Sequence, residues 1–188
     1  MAFAEAVKIR GRQATIYVAE DLEPSRLALL RAHGLDLVIH GVRTWDAEKE
    51  ARRIAKEEDK IYVSPYNDPI VVGGQGTCGF EISRQPPDLD AALFACGAGG
   101  LLTGSAGWLK SQDPEVEACG VSPENSPVMY ESMRTNEMVE METFQTLGDT
   151  CAAGVDLDSI TLELCRRHVD EILLVTEEDI EESIRLLF

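Results

Sequence analysis

The chain has 188 residues and a mass of 20.6 kDa, enough for one or at most two compact domains. A hydrophobic fraction of 44% and a charged fraction of 27% are typical of globular proteins and exclude collagen-like and simple disordered classes. Asp and Glu number 34 against 17 Lys and Arg, and the resulting formal charge of −17 would repel nucleic acid and acidic membrane surfaces.

Targeting segments, disulfides and metal motifs are not indicated. No apolar run approaches the roughly 20 residues of a membrane-spanning helix, and the N-terminal segment has no signal-peptide features. The five cysteines form no CxxC pair, and the three histidines stand in no metal-binding motif. We therefore expect a cytoplasmic protein with reduced thiols and no metal site.

Short β-branched runs alternate with longer amphipathic runs, which predicts an α/β fold with mostly parallel sheets flanked by helices. Over the first third of the chain, the predicted elements are a strand over 14–18, a helix from Pro24 towards Gly34, a strand over 35–40, a helix capped by Thr44 and reaching about residue 59, and a short strand over 61–64.

Asp68 followed by Pro69 predicts the start of the next helix. This helix contains Gly73, Gly74, Gly76 and Gly79, so another element must approach its backbone closely; we favour packing against the sheet over a bound ligand. The elements predicted after it are a strand over 90–95, a helix to 111, a strand over 117–121, a loop followed by an irregular stretch over 133–153, a helix near 159–167, a strand over 172–175, and a last helix that begins with a Thr176/Asp179 capping box and reaches Phe188.

The strand over 90–95 runs directly into the glycine-rich turn CGAGGL, residues 96–101. Such a turn at a helix N-terminus lets backbone amides approach a phosphate, although a tight strand-to-helix turn needs glycines for steric reasons as well. The sequence contains no P-loop motif. A dinucleotide site built on Gly97, Gly99 and Glu124 fits badly, because Leu102 stands where the third glycine belongs.

Several separate segments resemble the serine/threonine dehydratases, pyridoxal-phosphate enzymes with the tryptophan synthase β fold. These segments are SPYNDP from Ser64, GGQGT from Gly73, CGAGGL from Cys96, GVSPEN from Gly120, and Met129 with Tyr130. The resemblance covers the chain from about Ala14 to its end. It implies an incomplete copy of that fold, with about 1–63 belonging to the smaller subdomain and about 64–188 to the larger, cofactor-binding one.

The resemblance implies pyridoxal 5'-phosphate as the cofactor, with its phosphate bound by the backbone amides of the glycine-rich turn. The implied cofactor-binding residues are Gly97, Ala98, Gly99, Gly100, Leu101 and Tyr66. Ala98 replaces a glycine of the family, which is tolerable if its φ is negative. Tyr66 matches a position beside the cofactor ring.

The implied reaction converts L-serine or L-threonine to a 2-oxo acid and ammonia. The family's cofactor-binding lysine lies in a Ser-Phe-Lys motif that this sequence lacks, so we expect no catalytic residue and no activity of the chain alone. Its own lysines, expected to be solvated, are Lys8, Lys49, Lys56, Lys60 and Lys110. Ser122 and Val128 replace acidic cation ligands of some relatives, which again predicts no metal.

The alternative to a lyase is a non-catalytic remnant. Such a protein would bind a phosphorylated ligand, form a homo-oligomer, or pair with a full-length relative. Apolar edges left exposed by truncation would favour such pairing.

Overall fold

A computed structural model describes residues 2–85, 88–152 and 154–187. Positions 153 and 188, where the predicted irregular stretch and the last helix end, lie outside the described residues. The chain divides into two compact units, Met1–Tyr62 and Val63–Phe188, each with its own parallel sheet. The predicted α/β class with parallel sheets flanked by helices is confirmed. No helix among the described residues has the length and apolar character needed to cross a membrane.

The first unit pairs two short parallel strands. Its elements are α1 (Ala2–Ile9), β1 (Thr15–Val18), α2 (Pro24–Ala32), β2 (Asp36–Ile39) and α3 (Thr44–Glu57). In the sheet, Thr15 lies opposite Asp36. Gly34 follows α2 with a φ of +71°, the left-handed conformation that ends helices, as its position predicts.

Three expectations for the first unit were wrong or incomplete. Helix α1 was not predicted, although it buries Ala4 and Val7. Thr44 is the first residue of α3 and not its cap: Arg43 is the N-cap residue, and its N–H donates to the Asp46 carboxylate at 3.2 Å. The strand over 61–64 does not form: Ile61 is 91% exposed, and no described strand pairs with this segment.

The second unit contains a three-stranded parallel sheet in the order β3, β4, β5. Its elements are α4 (Pro69–Ile82), β3 (Ala91–Ala95), α5 (Gly100–Gln112), β4 (Glu117–Pro123), α6 (Val128–Thr135), a 3-10 turn (Asp149–Cys151), α7 (Thr161–His168), β5 (Glu171–Val175) and α8 (Glu177–Leu187). Helix α6 was missed, because the prolines around it suggested a loop. Phe94, Leu102 and Ile172 are buried in the core that α5 forms with the sheet.

Local capping explains where two of these helices begin. The Asp68 carboxylate accepts the N–H groups of Ile70 at 2.7 Å and Val71 at 3.4 Å, with Pro69 at the first helical position. Thr176 and Asp179 form the predicted capping box through reciprocal hydrogen bonds of 2.9 and 3.1 Å.

The glycines of α4 permit a close contact with a helix and not with the sheet. A Cβ at Gly79 would lie 2.5 Å from the carbonyl oxygen of Ser105 on α5, and one at Gly76 would lie 3.0 Å from that of Gly104. Close packing was correctly expected, but its partner is α5. Gly73 and Gly74 have nothing within 4 Å of the position where a Cβ would stand, so this contact does not require them.

We expect Gly104→Ala to destabilise the chain by about 2 kcal/mol or more, because overpacking forces the backbone apart. The added Cβ would lie 2.3 Å from the carbonyl oxygen of Val72. Gly73→Ala is the matched control, with open space around it and an expected gain of up to about 1 kcal/mol from helix propensity. Urea denaturation measures both. A Gly104→Ala variant within about 0.5 kcal/mol of the parent would contradict the close contact.

Candidate functional site

The turn between β3 and α5 lies at the carboxyl end of a parallel strand, where α/β proteins place ligands. Gly99 is the residue before α5 and has a φ of +85°, a conformation that favours glycine. Ala98 is not among the described non-glycine residues with positive φ, which are Asp59 and Asn136. Its methyl group therefore adds no backbone strain.

The backbone amides of this turn are available to a ligand. The Cys96 N–H donates to the carbonyl oxygen of Val121 at 2.8 Å, and the Thr103 N–H donates to that of Gly99 at 2.9 Å. Between them, the amides of residues 97–102 find no acceptor within the described part of the chain. Gly99 and Gly100 are buried, and unpaired buried amides at a helix N-terminus are the donor set that binds an anion such as phosphate.

Neighbouring segments close around the glycines of the turn. A Cβ at Gly97 would lie 3.0 Å from the Cα of Cys151, and one at Gly99 would lie 3.3 Å from the Cβ of Thr161. A Cβ at Gly100 would lie 3.1 Å from the Cβ of Tyr66. The glycines thus meet a steric need, and they leave the amides unobstructed by side chains of their own.

Tyr66 lies beside the turn and is 5% exposed. Its hydroxyl oxygen accepts the N–H of Asp156 at 3.1 Å. Tyr66 forms a small apolar cluster with Val128 and Val155, and Ala98 packs against this cluster. Leu101 packs against the main core. The structure therefore brings together all six residues that the resemblance implicated.

The segment behind the turn is held by serine hydroxyls. Ser122 Oγ donates to the carbonyl oxygen of Ser126 at 3.3 Å, and Ser126 Oγ donates to that of Cys151 at 3.0 Å. Both serines are buried. The described residues contain no group of three His, Cys, Asp or Glu side chains placed to hold a metal ion.

Three buried thiols surround the turn, those of Cys96, Cys151 and Cys165. Burial raises the pKa of Cys165 to about 12 and raises the pKa of Cys96 and Cys151 as well. At Cys96 burial therefore outweighs any lowering of the pKa by the nearby helix N-terminus. A neutral, buried thiol packs as a small apolar group and is not a nucleophile.

Lys110 is the single lysine of residues 63–188. Its ammonium pairs with the Asp170 carboxylate at 2.8 Å and donates to the carbonyl oxygen of Pro114 at 3.3 Å, so the expectation of a solvated lysine was wrong at this position. It lies near the C-terminus of α5, about 15 Å along the helix from the glycine turn. Lys110 is therefore not a group of this site.

The family model for pyridoxal-phosphate dependent enzymes matches residues 1–188. The chain belongs to this family. It is 36% identical over 184 residues to the L-threonine ammonia-lyase of Thermotoga maritima, a match that covers 98% of this chain and 46% of the relative. It is 32% identical over 180 residues to the phenylserine dehydratase of Ralstonia pickettii, covering 95% of this chain and 54% of the relative.

Solved structures agree with this membership. The crystal structure of a T.th. threonine deaminase superposes with a TM-score of 0.86 at 32% identity, covering 99% of this chain and 61% of that one. The chain thus spans about half the length of the curated relatives it matches. The fold is that of the tryptophan synthase β-like enzymes, and the family's cofactor is pyridoxal phosphate.

The sequence did not reveal the hydrogen bonds that Tyr66 and Asn67 make with Asp156. The Tyr66 hydroxyl accepts the backbone N–H of Asp156, and the Asn67 side chain donates to the Asp156 carboxylate, 89 residues further along the chain. Asn67 belongs to the SPYNDP motif, which was a signal, but nothing in the sequence identifies its partner.

We expect iodoacetamide to modify Cys78 in the folded chain well before Cys96, Cys151 or Cys165. Cys78 is exposed, whereas burial keeps the other three thiols protonated and inaccessible. Peptide mass mapping over time measures the order, and modification in urea gives the unprotected control. Equal rates for Cys78 and Cys165 in the folded chain would show that the turn is not packed as described.

Proposed function

We propose that this chain provides the phosphate-binding part of a pyridoxal-phosphate-dependent L-serine/L-threonine ammonia-lyase. Such an enzyme converts the hydroxy amino acid to a 2-oxo acid and ammonia. The observation that carries the proposal is the row of amides at 97–102 that lack an acceptor among the described residues, at the N-terminus of α5 and beside Tyr66. The similarity to an L-threonine ammonia-lyase supports the substrate class.

The residues that would hold the cofactor act through backbone and packing. The amides of Gly97, Ala98, Gly99, Gly100 and Leu101 would donate to the phosphate, and Tyr66 would pack beside the cofactor. When bound, pyridoxal phosphate supplies an electron-accepting ring that assists loss of the α-proton and the β-hydroxyl of the substrate. The apolar cluster of Tyr66, Val128 and Val155 would exclude water from one side of the turn.

The same proposal assigns each of the two units to a subdomain of the enzyme and leaves the cofactor lysine to a segment outside this sequence. Residues 1–63 would form part of the smaller subdomain and 64–188 part of the cofactor-binding one, supported by the division of the chain after Tyr62. No Ser-Phe-Lys motif occurs in the sequence, and Lys110 is engaged by Asp170, so no described residue of the second unit takes the role of the cofactor lysine. The five free cysteines are in keeping with a cytoplasmic location.

Titration with pyridoxal 5'-phosphate or inorganic phosphate should shift the amide NMR signals of residues 97–102, because these amides gain an acceptor. The amides of Ile70 and Val71 are an internal control at another helix N-terminus, since both already donate to Asp68. Their signals should stay in place. Absence of shifts at 97–102, or equal shifts at both helices, would contradict a phosphate site at the turn.

A pair of glycine variants completes this binding test. Gly99→Ala should weaken binding of pyridoxal phosphate about tenfold or more, because its Cβ strains a positive φ and crowds Thr161. Gly34→Ala carries a similar backbone strain at a φ of +71°, with nothing within 4 Å of its Cβ, and should leave the affinity unchanged. Absorbance titration measures the affinities, and circular dichroism verifies that both variants are folded.

A chimera tests the activity. In it, this chain replaces the 184 matched residues of the Thermotoga maritima L-threonine ammonia-lyase. We expect ammonia release from L-threonine or L-serine, lowered by Gly99→Ala when pyridoxal phosphate is below saturation, and none from this chain alone. Coupled detection of ammonia and the 2-oxo acid gives the rates. A folded chimera that binds pyridoxal phosphate but releases ammonia from neither amino acid would overturn the assigned reaction.

A further inference from the structure

The turn formed by Ser64–Asn67 (the 64–67 turn) lies against the glycine turn, with Tyr66 packed at Gly100. The hydroxyl of Ser64, which is 4% exposed, accepts the N–H of Asn67 at 2.9 Å. This hydrogen bond closes the turn and restrains the backbone from which the Asn67 side chain extends.

Both ends of the Asn67 side-chain amide are used to hold the segment 154–161. Its Oδ1 accepts the N–H of Ile160 at 3.1 Å, and its Nδ2 donates to Asp156 Oδ2 at 3.2 Å and to Asp158 Oδ1 at 3.4 Å. The opposite orientation of the amide would place its oxygen against two carboxylates and its NH₂ against an N–H group. The hydrogen-bond network therefore fixes the orientation.

The hydrogen bonds of the Asn67 side chain to the segment 154–161 are called the clamp, and Asp156 connects this clamp to Tyr66. Asp156 is only 1% exposed. A buried carboxylate is tolerated only where hydrogen bonds compensate for its lost hydration. Its carboxylate accepts from Asn67, while its own N–H donates to the Tyr66 hydroxyl at 3.1 Å. One residue of the 154–161 segment thus holds two neighbouring residues of the 64–67 turn.

The two clamped segments reach the two glycines at the start of α5. Tyr66 packs at Gly100, and Thr161 packs at Gly99, within 3.1 and 3.3 Å of the positions where a Cβ would stand. The Thr161 hydroxyl is also 2.7 Å from the Ser159 hydroxyl, which ties it into the same segment. Loosening of the clamp would therefore move the side chains that border the unpaired amides.

We propose that Asn67 and Asp156 are positioning residues for the cofactor site. They hold the 154–161 segment against the 64–67 turn, and this contact sets the distance of Tyr66 and Thr161 from the glycine turn. The inference rests on the proposed function for the identity of the ligand. Neither residue contacts the phosphate; they determine how well the turn is shaped to receive it.

The test uses the full chain with pyridoxal 5'-phosphate as the probe. Asn67→Ala and Asp156→Ala should each weaken binding about tenfold, the loss expected when a hydrogen bond to a buried charge is removed. Asp158→Ala is the matched control: Asp158 is exposed, its bond to Asn67 is the longer one, and the affinity should change less than about twofold.

A swapped pair separates the clamp from general damage to the fold. The swap is made in the Asp158→Ala background, because the Asp158 carboxylate would repel a carboxylate at position 67. In the double variant Asn67→Asp with Asp156→Asn, the carboxylate at position 67 accepts from the Ile160 N–H and from the new amide at position 156. The donor and acceptor are exchanged, so the affinity should return to within about threefold of the parent. Without any ligand, hydrogen exchange at the Ile160 amide should be faster in Asn67→Ala and slow again in the swapped pair.

The outcomes distinguish the two proposals. If the parent chain binds pyridoxal phosphate and both single variants bind it equally well, the clamp does not position the site and this inference is overturned. A swapped pair that restores slow hydrogen exchange but not affinity overturns it too. If the parent chain itself shows no binding, the proposed function fails and this inference fails with it, whatever the exchange rates show.

Discussion

The left-handed backbone at Gly99 is the constraint on which the second unit depends. It turns the chain from β3 into α5 within a few residues, so that α5 lies over the sheet and its N-terminus lies at the strand ends. The amides of residues 97–102 in this turn and the first turn of α5 have no acceptor among the described residues. The geometry that builds the core is thus the geometry that leaves donors for an anion.

A phosphate site in a chain of net charge −17 needs a local explanation. Salt screens the repulsion between an anion and carboxylates that lie farther away than the Debye length, about 8 Å at physiological ionic strength. Amides and a helix dipole act at hydrogen-bond distance, where the ligand meets donors before it meets distant carboxylates. The net negative charge of the chain therefore repels an anionic polymer that spans a large surface, but it does not prevent one phosphate group from binding at one turn.

Features set by neighbouring residues were predictable from the sequence, whereas features set by distant partners were not. The Asp68 and Thr176 caps and the left-handed Gly34 follow from local chemistry, and the structure contains all three. Segment 61–64 has strand-forming residues but pairs with no strand among the described elements. The clamp at Asn67 required contacts across about 90 residues, for which a single sequence carries no signal.

The contact between α4 and α5 also limits how this sequence can change over time. A side chain at Gly79 or Gly104 would meet the backbone of the opposite helix, at Ser105 and Val72, and not a side chain that a second mutation could shorten. Most core positions can change through compensating substitutions, in which a larger residue at one position is matched by a smaller residue at its neighbour. Here no such partner exists, so these glycines can be replaced only if the helices themselves move. We expect them to persist in descendants of this chain that have lost every residue contacting a ligand.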